Sequence, residues 1–327
     1  MKKTMKRLLT NTTSLTGILL LLAFTVIAIA APWLAPPPEN ARDPYMIPRD
    51  GFRTEPASPS AEHPLGTTEG QYDILYGVVW GTRTAFRIGV VITACTAIIG
   101  LTIGSVGAYY GGWIDDVLMR ITEIFQAFPF LLAAITLTSV LQTIYGRGEA
   151  GPLMFLARLL AMVTFGSNPM KDVDPVQLQI LTGMLAIIAF GWMTYARVIR
   201  GNIMVVREEE YALAARAIGV GDFRILTRHL LPNAVFPVLV IASMNTGAYV
   251  LTFAALSFLG LGAQRGYADW GQMINFARNW IPSLAQHWHI VTYPGLAIVL
   301  FVLAWNLVGD ALRDILDPRM RGNGNGF

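Results

Sequence analysis

Six stretches of this chain are apolar for about twenty residues or more, near 15–35, 84–109, 117–141, 178–199, 234–257 and 290–309. A helix of that length crosses about 30 Å of hydrocarbon while bonding all of its backbone polar groups internally. The pattern predicts an all-α polytopic membrane protein with about six transmembrane helices. Lys2, Lys3, Lys6 and Arg7 precede the first run, so that end is expected in the cytoplasm. Six crossings return the C-terminus to the same side. The segment after the fourth run carries Arg197, Arg200, Arg207, Arg216, Arg224 and Arg228, and the tail carries Arg313, Arg319 and Arg321. Both fit a cytoplasmic placement. "YYGGWIDD", between the second and third runs, is acidic and gives no such support. The first run could instead be a cleaved signal peptide, since "AIAAPW" offers small residues. Either way residue 40 onward emerges outside.

The polar intervals divide the chain into a tail and first helix over 1–35, an extracytoplasmic loop over 36–83, a five-helix core over 84–312 and a tail over 313–327. The loop opens "APPPENARDPYMIPRD", too rich in proline for regular helix. A second outer insert, 142–177, contains "GPLMFLARLLAMVTF", too short to span and suited to an interfacial or partly buried helix. Trp270, Trp280 and Trp288 follow the fifth run and fit an aromatic belt at the membrane surface.

Composition sharpens this and removes several function classes. Of 327 residues, 54% are hydrophobic and 14% charged, against about 25% charged in a soluble domain. The net charge of +3 is mostly arginine spread over loops, which is no nucleic-acid footprint. Cys95 is the single cysteine, so no disulfide forms within the chain. A phosphate-binding loop needs lysine after glycine, and no Gly-Lys pair exists here. Neither an H-E-x-x-H nor a G-x-S-x-G pattern occurs. His287 and His289 form "HWH"; beside tryptophans that pattern suits interface residues better than a metal site. No catalytic residue, metal site or cofactor bound by this chain is expected.

One interval does not read as a connector. Arg207–Ala234, "REEEYALAARAIGVGDFRILTRHLLPNA", is charged and helix-prone between two apolar runs. Arg207 to Ile218 predicts one helix, with Tyr211, Ala215 and Ile218 on a shared face and Glu208, Glu209 and Glu210 favouring the dipole of its first turn. Gly219 is placed as its stop and Asp222 as the N-cap of a second helix. There Phe223, Leu226 and Leu230 share one face and Arg224 and Arg228 another, and Pro232 ends the unit. A simple connector needs only a few residues. Two caps and two apolar faces predict docking to a partner.

The segment resembles the coupling motif of binding-protein-dependent ABC transporter permeases, written EAA–x3–G–x9–I–x–L–P. Ala214, Ala215, Gly219, Leu231 and Pro232 match at the right spacing, while Leu213 replaces the glutamate and His229 the isoleucine. Further segments resemble the oligopeptide/dipeptide/nickel branch: "EHPLGT", "GTRTAFRIG", "DDVLMRITEIFQAFP", "LSFLGLG", "DWGQMI" and "NLVGDALRDILDPRMRG". Their order is similar to that of the second of two permeases usually encoded for peptide uptake. The resemblance implies half of an ABC importer's translocation pathway in the inner membrane. Its implied partners are a homologous permease as heterodimer, two cytoplasmic ATPase subunits carrying ATP and magnesium, and an extracytoplasmic substrate-binding protein. Glu210, Tyr211, Ala214, Ala215, Gly219, Asp222, Leu231 and Pro232 are the implied ATPase-coupling residues. Peptides are the family's commonest cargo; nickel, glutathione and sugars are alternatives. Two departures concern the outer side. Gln71-Tyr72-Asp73 stands where the family usually has Gly-Arg-Asp, and the 142–177 insert is longer than the family norm.

Four polar residues inside the runs are candidates for a substrate path: Glu123, Asn245, Thr246 and Thr252. Glu123 lies near the cytoplasmic end of its run and could simply pair with Arg120. The other three could equally bond neighbouring helices. Gly100, Gly104 and Gly107 stand at helix-packing spacing. Two other classes fit less well. An intramembrane enzyme needs a catalytic pair that these runs lack, and a passive channel needs no doubly capped helix unit.

Overall fold

A computed structural model describes residues 11–147, 151–168 and 173–316. Helix α1 (Thr12–Leu34) opens on Asn11, whose side chain accepts from Thr13 N at 3.2 Å. Helix α2 (Ile74–Tyr110) is 37 residues long, about 55 Å at 1.5 Å per residue. It starts ten residues before the apolar run suggests, because Asp73 caps it by accepting from Tyr76 N at 2.7 Å. That first segment is buried against loop residues rather than lipid.

The third run is not one straight helix. It forms α3 (Gly112–Gln126) and α4 (Phe130–Gly146), bent by 86°. Pro129 supplies no N–H and drives Phe128 out of helical geometry. The outer insert contributes α5 (Gly151–Phe165), whose Ala157, Leu160, Ala161 and Thr164 are buried on the bundle. The fourth run is α6 (Pro175–Gly191) and α7 (Met193–Val206), one span with a break at Trp192. At the break the Gly191 carbonyl accepts from Tyr249 Oη at 2.9 Å instead of continuing the helix ladder. The last two runs are the long helices Phe236–Phe258 and His289–Leu316. Among the described residues five helices are long and apolar enough to cross a membrane, or six with the bent pair counted as one span.

Glycines set the closest approaches. A Cβ on Gly100 would lie 2.5 Å from the Trp192 carbonyl, and one on Gly104 would overlap the Ala196 carbonyl. The backbones of α2 and α7 therefore touch, as the glycine spacing predicts. Gly17, near the start of α1, meets Leu307, near the end of the last helix, with a Cβ separation of 2.5 Å if a Cβ were present. The two terminal helices thus pack antiparallel, and the start of the first lies at the same end of the bundle as the close of the last.

The two ends of the bundle differ. At one end residues 36–72 fold onto 259–288 as a cap. Three isolated β-bridges stitch this end, Met46 with Tyr267, Arg49 with Tyr72, and Thr67 with Asp73. Gln71 takes a left-handed φ of 61° there, a conformation that favours glycine. At the other end stands the Glu210–Ala234 unit.

Candidate functional site

The unit is built from short pieces. Helix α8 (Glu210–Ala217) is followed by α9 (Asp222–Arg224), a π-helical turn (Ile225–Leu230) and α10 (Leu231–Ala234). The span that follows is α11 (Phe236–Phe258). Helix α8 starts later than the charge pattern suggests, because Val206 ends α7 and Arg207 is its C-cap. Arg207 pairs with Glu208 at 3.0 Å and donates through Nη1 to the Ala108 carbonyl at 2.7 Å. Glu210 stands alone in the first turn of α8.

Gly219 does stop the helix, at a φ of 78°. Val220 N donates to the Ala215 carbonyl at 3.1 Å, and Gly219 N to the Arg216 carbonyl at 3.0 Å. That pair of bonds is a complete Schellman cap, which needs a left-handed residue between them. The end of α11 repeats it, with Gly260 at 82°, Leu261 N on Leu256 O at 2.8 Å and Gly260 N on Ser257 O at 2.9 Å. Nothing lies within 4 Å of a Cβ placed on Gly219 or Gly221, so the joint is open.

Asp222 does not cap the second helix. Gly221 holds the cap position without a side-chain bond, and the Asp222 carboxylate accepts from Tyr109 Oη at 2.7 Å. The expected apolar faces are also rearranged. Ala212 and Ala215 face the bundle and are buried, as are Ile225, Leu226 and Leu230. Small side chains let α8 lie close to its own chain. Tyr211, Leu213, Ile218 and Phe223 point away, with Ile218 80% and Phe223 79% exposed. The π turn shifts register, which separates Phe223 from Leu226 and Leu230. Ala214, Pro232 and Glu210 are exposed and Leu231 is half-buried. Ala215 is therefore not on the outward face with the other motif residues.

The candidate path residues scatter. Thr246 is buried, and its hydroxyl lies 3.0 Å from that of Thr93 on α2 and donates to Ala242 O at 2.9 Å. Asn245 donates to Tyr195 Oη at 3.0 Å, and Thr252 bonds only its own helix through Ala248 O at 2.9 Å. Glu123 is exposed on α3, and no ion pair within 4 Å joins it to Arg120. The close charged contact in that region is instead Asp115 with Arg200, a two-pronged pair at 2.7 and 2.6 Å between α3 and α7. The apolar pattern of α3 gives no sign of it, although "DD" facing an arginine-rich α7 is a usable clue.

The opposite cap is held by charge and aromatics. Glu69 accepts from Arg265 Nη2 at 2.7 Å, Asn279 Nδ2 at 2.9 Å and Trp280 Nε1 at 3.2 Å. Burial alone would raise this carboxyl, but those three donors hold it below the usual range. Asp269 is fully buried and caps α12 (Trp270–Asn275) by accepting from Gln272 N at 2.8 Å. Burial pushes its carboxyl up to about 6. His63 bridges Asp73 through Nδ1 at 2.7 Å and Asp50 through Nε2 at 3.0 Å, and those carboxylates raise it despite partial burial. Among the described residues no group of three His, Cys, Asp or Glu side chains is placed to hold a metal.

A bundle with five or six membrane-length spans among the described residues, a stitched cap at one end and a glycine-jointed helix pair at the other is that of an all-α polytopic membrane protein. Residues 98–322 match the family of binding-protein-dependent transport system inner membrane components, and residues 1–54 match the N-terminal membrane domain of oligopeptide transport permease C. The chain belongs to the first of these families, the permeases of ABC importers, and is a multi-pass inner-membrane protein. It is 32% identical over 320 residues to a dipeptide transport system permease of Alkalihalophilus pseudofirmus, covering 98% of this chain and 90% of that one. It is 31% identical to the dipeptide permease of Bacillus subtilis, covering 97% and 85%. To a glutathione transport system permease of Pectobacterium atrosepticum it is 35% identical, covering 80% and 75%.

Proposed function

We propose that this permease forms half of the translocation pathway of a peptide importer, paired with a homologous permease and driven by two separate ATPase subunits. Both chain ends and the Glu210–Ala234 unit are assigned to the cytoplasm, and the cap over 36–72 and 259–288 to the outside, where a substrate-binding protein delivers cargo. ATP and magnesium belong to the ATPase subunits. Dipeptides or short oligopeptides are the favoured cargo, because residues 1–54 match the N-terminal domain of an oligopeptide permease and two relatives of high coverage carry dipeptide names; a tripeptide such as glutathione is the second reading, from glutathione permeases of similar coverage.

The observation that carries the coupling role is the exposed apolar tip of the unit. Ile218 and Phe223 stand mostly exposed on either side of an open glycine joint, Ile218 at the Schellman-capped end of α8 and Phe223 on the short α9. Two large apolar side chains flanking a turn suit insertion into a cleft on a partner. Glu210, Tyr211, Ala214, Gly219, Asp222 and Pro232 frame that surface, and Ala215 with Leu231 supports it from behind. Asn245, Thr252 and Glu123 remain proposed path residues; the Thr93 contact of Thr246 suits helix packing at least as well.

The test is co-purification from membranes co-expressing the whole importer. Ile218→Asp together with Phe223→Asp should reduce ATPase retention by tenfold or more while leaving insertion and the sister permease in place. Unchanged retention would show that the tip is not the docking surface. Uptake of labelled dialanine against labelled glutathione separates the two cargo readings.

A further inference from the structure

The last turn of α2 is joined to the unit at two places and to its lead-in residue Arg207 at a third. Arg207, ahead of α8, donates to the Ala108 carbonyl at 2.7 Å. Arg216, inside α8, lies over the ring of Tyr109 at 5.6 Å from its centroid. Asp222, opening α9, accepts from the Tyr109 hydroxyl at 2.7 Å. Tyr109 thus holds one helix through its face and the next through its hydroxyl. The two helices it holds are separated by the Gly219–Gly221 joint, where neither glycine has a neighbour within 4 Å of a Cβ and Val220 alone packs on the core.

We propose that Tyr109 is a positioning residue for energy coupling, latching α2 to both helices of the unit so that a displacement at the unit moves α2 as a rod. This rests on the reading that ATPase subunits push on the unit. The rod is suited to the task by its construction. It contains no proline over its 37 residues and touches α7 backbone to backbone at Gly100 and Gly104. Its far end is fixed in the outer cap, where Asp73 caps it, His63 holds Asp73, and Ile74 N donates to Gly66 O at 3.1 Å. A shift at Ala108–Tyr110 therefore reaches residues 66–77 without passing through a flexible link. Without the latch, α8 and α9 could pivot about the glycine joint and absorb a push locally. Rigid elements with two arrangements are what carry such signals.

The chemistry makes separable variants. Tyr109→Phe keeps the ring under Arg216 and removes only the bond to Asp222. Asp222→Ala removes the acceptor, whereas Asp222→Asn keeps a side-chain oxygen that can accept from the phenol. The experiment is hydrogen–deuterium exchange over residues 66–80 of the complete importer in nanodiscs, with and without ATP and vanadate. In the parent complex, trapping should change exchange at this outer end of α2. In Tyr109→Phe and Asp222→Ala that response should fall at least threefold, the double variant should be no worse than either, and Asp222→Asn should respond as the parent does. ATPase retention should stay at the parental level in Tyr109→Phe, which leaves the docking surface untouched. A full response in Tyr109→Phe with ATPases retained would overturn the latch and leave the docking reading intact. Loss of ATPase retention in Tyr109→Phe would also overturn it, in favour of a purely architectural bond. A parent complex that retains no ATPase would overturn the docking reading itself, and the latch with it.

Discussion

The two ends of this bundle solve opposite problems. The cap over 36–72 and 259–288 ties distant segments together with enclosed polar groups: Glu69 receives three donors, and Tyr45 stacks on Tyr267 with ring centroids 5.7 Å apart. The Glu210–Ala234 unit is short helices, small buried alanines, an open glycine joint and exposed apolar tips. Enclosed charge-assisted bonds fix a surface, because a stranded partner is costly. A joint whose glycines meet no neighbour is held mainly by Val220 and by the Tyr109 contacts on either side. The contrast teaches that this permease keeps a shape at one end and, on the proposed coupling role, passes on a movement at the other.

The strongest way to break the contrast is to destroy the geometry of the joint. Gly219→Pro forces φ to about −65° where 78° is required, and deletes the donor to Arg216 O. We expect ATP-driven uptake in proteoliposomes to fall tenfold or more with normal insertion; retained uptake would mean the joint is dispensable. Loosening the cap comes second. Glu69→Ala removes the shared acceptor of Arg265, Asn279 and half-buried Trp280, at a cost of about 2 kcal/mol. Amide exchange over 276–283 should accelerate while exchange over 210–217 stays unchanged. Equal acceleration at both ends would erase the distinction between them.

The smallest effect is a pH dependence in the cap. The Asp269 carboxyl titrates at about 6 in the folded protein, against about 3.9 unfolded. A raised value stabilises the fold below the unfolded pKa and loses that contribution as pH rises through the folded one. Between pH 5 and 7 the cap should therefore lose about 1 kcal/mol. Asp269→Asn, uncharged throughout, should flatten that part of the melting-temperature profile; an unaltered slope would assign it to other groups.

The alternation of apolar runs and arginine-rich intervals made the spans and the special interval legible, and the Gly219 stop was readable because a Schellman cap has a residue-level signature. Three things were not, each because a tertiary partner decided them. Helix α2 begins at Ile74 since Asp73 and the cap bury its first turns, which no hydropathy window registers. Asp222 looked like a cap, but Tyr109, 113 residues away, takes its carboxylate. The apolar set of Phe223, Leu226 and Leu230 assumed a regular helix, and the π turn ahead of Pro232 rotated Phe223 outward. The 86° bend was different: Pro129 announced it locally, and the length of the apolar run masked it.

The most direct measurement is site-specific photo-crosslinking in membranes expressing the whole importer. A photoreactive residue is placed at Ile218 or Phe223, and for comparison at Phe52, which is 80% exposed on the cap. The account predicts adducts to the ATPase subunit from Ile218 and Phe223 and none from Phe52. Adducts to that subunit from Phe52, with none from Ile218 or Phe223, would contradict it.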